Sequence, residues 1–263
     1  MSNKGGGEQT HRVHIESLPR LRSMKSSLVY VDERLVVVNK AAGISLATRR
    51  AEPHAAVSRL LDSIDPQERA NWGLDAEDLR LCHRIDSGTT GLVVLARDAE
   101  THRAVAAGFQ SRTIDKAYLA LVWGHPRPQD GRYDVPIAPD PKDRRRMRAD
   151  RSGRPAVTRY KTLARGPGVS LLELHPETGR THQLRVHLAN TGHWIVGDDL
   201  YTGARHRGIK KPERRLLFSP PSLLLHAWRL HLPAASRLQE RIFEAPLPAH
   251  FQRVLDALGM TTE

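Results

Sequence analysis

Apolar and polar positions along this chain form short alternating runs more often than helical stripes. Leu28-Val29-Tyr30-Val31 and Leu35-Val36-Val37-Val38-Asn39-Lys40 flank Asp32-Glu33-Arg34, the pattern of two strands around a tight turn. Ala56, Leu60, Leu61 and Ile64 recur at helical spacing, so Ala55 to Ile64 is predicted helical, with Pro66 as its stop. Leu92 to Ala96 is a continuous apolar run after a Gly/Thr/Ser turn and reads as a short buried strand. Asp98 stands where an N-cap belongs, before a helix carrying Val105, Ala106 and Phe109 to about Arg112. Lys116 to Trp123 alternates and is β-prone. Ala156 to Ala164 and Val169 to His175 form a hairpin joined through Gly166-Pro167-Gly168. Thr181 is placed to cap a short helix with Leu184, His187 and Leu188 on one side, ended by Gly192. Leu223 to Leu232 is strand-like, and Phe251, Val254, Leu255 and Leu258 mark a terminal helix closed by Gly259.

Many strands, few helices and no regular βαβ order predict an α+β domain on a large mixed, mostly antiparallel sheet. Residues 1–26, rich in Gly, Ser and basic residues, are expected to be a flexible leader, and 27–263 the folded domain. Between Gly124 and Ala156 a proline-rich stretch leads into Lys142-Asp143-Arg144-Arg145-Arg146-Met147-Arg148, read as a long surface excursion. A second basic cluster spans Lys210 to Arg215.

Charge sharpens the picture. Lys and Arg outnumber Asp and Glu by 41 to 29, for a net charge of +12, so a polyanion is the expected partner and nucleic acid the first candidate. The 39% of hydrophobic residues can build a core that folds alone, as a monomer. There is no apolar run near the 18 residues of a membrane span, no amphipathic basic helix and no hydrophobic leader segment, which points to the cytoplasm and away from membranes. Cys82, the single cysteine, reads as a small core residue in a reducing compartment.

The chemistry centres on His83-Arg84-Ile85-Asp86 ahead of the Leu92 strand. A carboxylate on a loop held against the core costs several kcal/mol unless paired or employed. Arg185, between Leu184 and Val186 in a half-buried helix, is equally out of place unpaired. Pairing it with Asp86 satisfies both and keeps Asp86 ionised, available as nucleophile or base. A structural ion pair is the plainer alternative, and Tyr118, by spacing alone, is a core tyrosine. His-Arg-x-Asp echoes a kinase catalytic loop, but Gly91 stands where that loop needs Asn. His182, His187 and His193 lack the spacing of a known zinc motif, so no metal is expected.

The sequence resembles the RluA-type pseudouridine synthases. The resemblance rests on His83-Arg84-Ile85-Asp86 with Thr90-Gly91-Leu92, on Lys116-Ala117-Tyr118, and on Thr178-Gly179-Arg180-Thr181-His182-Gln183-Leu184-Arg185-Val186-His187-Leu188. Gly192-His193, Ile195-Val196-Gly197-Asp198, Leu225-His226-Ala227 and Ala245-Pro246-Leu247-Pro248 extend it over about Leu28 to Leu258. Ala41-Ala42-Gly43 after Lys40 departs from the family's Lys-Pro-x-Gly. The resemblance implies the pseudouridine synthase fold, with helices and loops around a central cleft, and isomerisation of a uridine in ribosomal or transfer RNA without metal or organic cofactor. It assigns Asp86 as the catalytic aspartate, Tyr118 as the aromatic stacked on the target base, Arg185 as the aspartate's partner and Arg84 as the residue displacing the target nucleotide. Attack at C1′, addition to C6 of the base and removal of a sugar proton all stay open as roles for Asp86. Leu184 is expected beside the base. Arg180, His182, Lys40, Arg144, Arg145 and Arg146 complete the residues expected on the substrate side. The leader is too short for the S4-type domain of some relatives, so recognition is expected to rest on the catalytic domain and its basic loops. The rival reading is an RNA-binding or ribosome-assembly factor on the same fold without catalysis; intact Asp86, Tyr118 and Arg185 argue against it.

Overall fold

In the computed structural model, which describes residues 24–48, 51–202, 205–235 and 237–261, the first two apolar runs form β1 (Ser27–Val31) and β2 (Leu35–Lys40). Asp32 sets their antiparallel turn by accepting the amides of Arg34 and Leu35 at 2.8 and 2.7 Å and the Tyr30 hydroxyl at 2.6 Å. Residues 1–23 of the expected leader lie outside the described residues. Its last residue belongs to the fold instead: Ser26 is buried, and its hydroxyl accepts the Ala41 amide at 2.9 Å and a bond from Ser63 at 2.7 Å.

Helix α1 (Ala55–Leu61) stops short of Ile64, and Pro66 opens a second helix, α2 (Pro66–Asn71), where the sequence reading had only a stop. The reason is local. Proline is tolerated at the first helical position, and the Asp65 side chain accepts the Gln67 amide to cap the turn. After the short β3 (Arg80–Leu81) comes β4 (Thr90–Ala96), buried at all seven positions, and α3 (Ala99–Ser111), capped by Asp98 through the Thr101 amide at 2.8 Å.

Next follow β5 (Asp115–Trp123) and β6 (Asp130–Asp134). The stretch expected to be a plain surface excursion continues as a hairpin of β7 (Ile137–Pro139) and β8 (Met147–Ala149), its basic run at the tip. Tyr133 and Ile137 are buried and anchor it, a signal that the surrounding Pro and Arg residues obscure. The hairpin β9 (Val157–Gly166) and β10 (Val169–Pro176) is followed by α4 (Gln183–Asn190), α5 (Pro212–Leu217), β11 (Leu225–Leu232), β12 (Arg241–Glu244) and α6 (Ala249–Ala257).

Ten strands make one sheet, ordered β1-β2-β4-β11-β5-β10-β9-β6, with β3 also on β4 and β12 on β11. The pairing of β4 with β11 is parallel; the others are antiparallel. Successive residues of β5 face opposite sides of the sheet, as strand geometry requires. Ala120 and Val122 pack with Leu184 and Leu188 of α4, whereas Leu119 and Leu121 pack with Phe218 and with Phe251 and Leu255 of α6. This split decides which side chains share the cleft. Among the described residues no helix is long and apolar enough to cross a membrane.

Candidate active site

The loop between β3 and β4 alternates its side chains. His83 turns inward, where its Nε2 accepts the Val94 amide at 3.1 Å and its ring meets Phe109 at 4.3 Å between centroids. Burial lowers the His83 pKa to about 3, so the ring is a neutral acceptor. Arg84 projects outward and is exposed, Ile85 enters the core and Asp86 is half-buried. Beyond Asp86 the loop closes through the Thr89 amide donating to the Asp86 carbonyl at 3.1 Å. Thr90 is locked by a 2.8 Å hydrogen bond to His226 Nδ1, whose Nε2 in turn meets the Ala245 carbonyl at 3.1 Å. Gly91 sits where β4 meets β11. Its φ of +109° is in the left-handed range, and a Cβ there would lie 2.2 Å from the Ala227 carbonyl oxygen.

Lys40 lies beneath this loop, fully buried, with its ammonium donating to the carbonyls of Ala41 (2.9 Å), Ser87 (3.1 Å) and Ile44 (3.3 Å). The substrate-side placement expected for Lys40 is therefore incorrect: its donors are committed to backbone that holds the residue after Asp86. Burial lowers its pKa to about 7, against the charge of Asp86, which pushes the other way.

Arg185 meets Asp86 as expected, Nη1 to Oδ2 at 3.4 Å, but Asp86 is its lesser partner. Its Nε and Nη2 each hold an oxygen of Asp198 at 2.8 Å, a bidentate pair with the Asp198 side chain 1% and the Arg185 side chain 10% exposed. Asp198 also accepts the amides of Leu200 and Tyr201 at 3.1 and 3.2 Å. The arginine is thus preset by a buried carboxylate and presents its remaining nitrogen to the cleft.

His182, not Thr181, occupies the N-cap position of α4, in a left-handed conformation with φ of +55°. No side chain caps the helix; instead the Gln183 amide oxygen fixes the turn before it, accepting the Arg180 amide at 3.0 Å and the Thr178 hydroxyl at 2.6 Å. This turn swings His182 toward Asp86, Nε2 to Oδ2 at 3.9 Å, while Nδ1 hydrogen-bonds the Tyr201 hydroxyl at 3.0 Å. Burial lowers the His182 pKa, opposed by Asp86 and assisted by Arg185. Tyr201 in turn contacts the Met147 backbone through both N–H (2.8 Å) and carbonyl (3.1 Å), tying the site to β8. The guanidiniums of Arg185 and Arg146 lie 5.0 and 5.1 Å from its ring centre.

These elements enclose a cleft of about 610 Å³. Asp86, Arg185, His182, Tyr118, Leu184, Arg84 and Arg180 all line it. Tyr118 and Leu184 join one apolar cluster with Leu225, giving the cleft an apolar wall beside its charged floor. Burial, with the Asp86 charge adding to it, raises the Tyr118 pKa, so the phenol stays neutral at ordinary pH. Arg180 is tethered by Nε to the Pro155 carbonyl at 3.1 Å. Burial lowers its pKa, and the neighbouring charges of Arg154 and Arg112 add to the effect. The rim is therefore cationic.

Arg144, Arg145 and Arg146 do not line the cleft. Arg145 is bidentate to Asp143, Arg148 is paired with Asp150, and Arg146 lies against Tyr201, so the cationic tip is partly neutralised. Arg144 is exposed and has no ion-pair partner among the described residues. Sequence reasoning missed Tyr201 and the cleft-lining Arg112 and Lys116 as site residues, and it gave Asp198 no role beyond a matching motif. A buried aspartate four residues from a tryptophan carries no local sign that it holds a distant arginine. Cys82 is buried, and burial pushes its thiol up to about 12, which fits a core residue and not a nucleophile.

Residues 34–190 match the family described as RNA pseudouridylate synthase. The chain is 35% identical over 291 residues to a mitochondrial pseudouridylate synthase of Xenopus tropicalis, with 97% of this chain and 87% of that protein covered. It is 33% identical over 221 residues to the dual-specificity RNA pseudouridine synthase RluA of Escherichia coli strain K12, with 83% and 92% covered. Among solved structures, human RNA pseudouridylate synthase domain containing 4 superposes with a TM-score of 0.69 at 31% identity, over 90% of this chain and 94% of that one.

Proposed function

Because this chain belongs to the RluA-type family of RNA pseudouridylate synthases, whose members are isomerases, we propose that it converts a uridine of ribosomal or transfer RNA to pseudouridine with Asp86 as the reacting carboxylate. The observation that carries this reading is the arrangement of Asp86 on the cleft floor: Arg185 contacts it at 3.4 Å, is itself fixed by Asp198, and Tyr118 supplies the facing aromatic wall. Arg185 and His182 approach the Asp86 carboxylate at Oδ2, at 3.4 and 3.9 Å.

A uridine inside folded RNA must be extruded to reach this floor, at a cost of a few kcal/mol. In this reading Arg84, exposed among the cleft-lining residues, fills the gap it leaves, and Tyr118 with Leu184 receives the base by stacking and apolar contact. The N1–C1′ bond then breaks, the base turns, and C5 bonds to C1′. One proton leaves C5 and one arrives at N1, so the reaction is balanced within the nucleotide and calls for no cofactor. Asp86 serves this sequence by attack at C1′, by addition to C6 or by taking a sugar proton. The single cysteine of the chain, the buried Cys82, suits a reducing compartment such as the cytoplasm.

The test is Asp86→Asn. Carbodiimide mapping of RNA from cells lacking the endogenous protein is expected to show the modification restored by the parent chain and not by this variant. Full restoration by Asp86→Asn would remove Asp86 from the chemistry and favour a non-catalytic RNA-binding role.

A further inference from the structure

The segment from Arg205 to Leu217 lies apart from everything used above. It comprises a single turn (Arg205–Gly208) and α5, and it carries Arg205, Arg207, Lys210, Lys211, Arg214 and Arg215 against one acid, Glu213. All six cations are exposed, and among the described residues none of them is in an ion pair. The segment is held in place by its apolar side. Ile209, Leu217 and Phe218 pack into the cluster of Leu119, Leu121 and α6. Arg205 lies 3.7 Å over the ring of Trp194, and Arg214 reaches the Pro167 carbonyl at 3.5 Å, which seats the segment on the β9–β10 turn. An exposed row of cations seated by such contacts, with no acidic partners among the described residues, suits phosphate binding more than a solvated tail does.

Its position follows from strand parity. Tyr118, Ala120 and Val122 face the cleft side of the sheet with Leu184, whereas Leu119 and Leu121 face the side on which Ile209, Leu217 and Phe218 pack. The basic segment therefore lies across the sheet from Asp86. Side chains on opposite faces cannot grip the same few nucleotides. A membrane surface suits the segment poorly, because its apolar side is turned into the core and Leu216 alone of its large apolar residues is well exposed, at 56%.

Resting on the RNA-modifying function proposed above, we propose that the Arg205–Arg215 segment is a second RNA-backbone site, and that the substrate is an RNA long enough to run from the cleft around the sheet to its opposite face. In sequence the segment begins seven residues after Asp198, the carboxylate that fixes Arg185. Such a site reads phosphates and adds affinity to long RNAs without reading the bases beside the target uridine.

The test compares the full chain with a variant carrying Arg207→Gln, Lys210→Gln, Lys211→Gln and Arg215→Gln. The probes are labelled uridine homopolymers of graded length and vesicles of anionic phospholipid. All four side chains are exposed, so unchanged melting is expected, and the charge-keeping exchange of Lys for Arg and Arg for Lys is expected to bind as the parent does. Short oligomers should bind both proteins alike. The parent's affinity and salt slope should climb with length. The variant should lose that climb, by about tenfold or more in affinity and about 0.7 in slope for each phosphate contact removed. A variant that tracks the parent at every length and salt concentration overturns the proposal, and so does one that differs only on vesicles. Pseudouridine formation in cellular RNA by the parent is scored separately. Its absence with the length effect intact overturns the catalytic reading and leaves this site standing; its presence without the length effect does the reverse.

Discussion

Arg185 gives two of its nitrogens to Asp198 at 2.8 Å and offers only Nη1, at 3.4 Å, to Asp86. The strong, buried pair is thus the one away from the cleft. The contact that faces the cleft is longer and more exposed.

This asymmetry separates stability from activity. Asp198→Ala leaves a buried guanidinium with its main partner gone and is expected to cost about 3–5 kcal/mol in urea unfolding. Asp86→Asn removes only the longer contact of a side chain 24% exposed and is expected to cost less than about 1 kcal/mol while abolishing modification. Equal losses from the two substitutions would mean that Asp86 is also a structural anchor.

Lys40 makes stability depend on pH in a defined direction. Its folded pKa of about 7 lies below the ordinary lysine value of 10.5, because burial disfavours the ammonium. Between those two values the unfolded chain binds the extra proton, so stability rises with pH across the window, and the full penalty is present below about pH 7. The slope approaches about 1.4 kcal/mol per pH unit. Lys40→Met should flatten it. Parallel pH profiles for parent and variant, followed by urea midpoint, would refute this.

At the β7–β8 tip the three arginines are not equivalent. Arg145 is already bidentate to Asp143 and Arg146 covers Tyr201, whereas Arg144 stands exposed and unpaired among the described residues. Arg144→Gln is therefore expected to lower the salt slope of RNA binding by up to about 0.7, with a smaller change for Arg145→Gln. Fluorescence titrations at graded salt decide it, and a larger effect at Arg145 would mean that RNA displaces Asp143.

Gly91 is expected to reject alanine. The added Cβ would meet the Ala227 carbonyl carbon at 2.7 Å and its oxygen at 2.2 Å, at a φ of +109°. Overpacking and the backbone conformation each cost about 1–3 kcal/mol. Because β4 and β11 meet there, Gly91→Ala should lower the melting temperature and loosen the Asp86 loop together. A variant that melts like the parent would show that the two strands can part without cost.

What the sequence determined by itself is mostly local. The strands flanking Asp32, the Asp98 cap, the β9–β10 hairpin and the apolar β4 run each follow from side-chain periodicity and turn chemistry within a few residues. Asp86 was legible for the same reason, as a charge held against a buried strand within a distinctive motif. Pro66 and Thr181 were misread because local rules allow two outcomes there; Asp65 caps the turn that Pro66 opens, and the Gln183 side chain fixes the turn before α4 through several hydrogen bonds.

Only the tertiary structure decided who pairs with whom. Arg185 has two candidate carboxylates far off in sequence or across a turn, and the choice of Asp198 rests on which lies buried beside it once α4 packs on β10. Lys40 read as a strand-end cation until the fold placed three carbonyls around its ammonium. Periodicity records which face a residue takes, since burial acts on each side chain separately. Pairing energies depend on distances between elements, and those exist only after the sheet has brought the elements together.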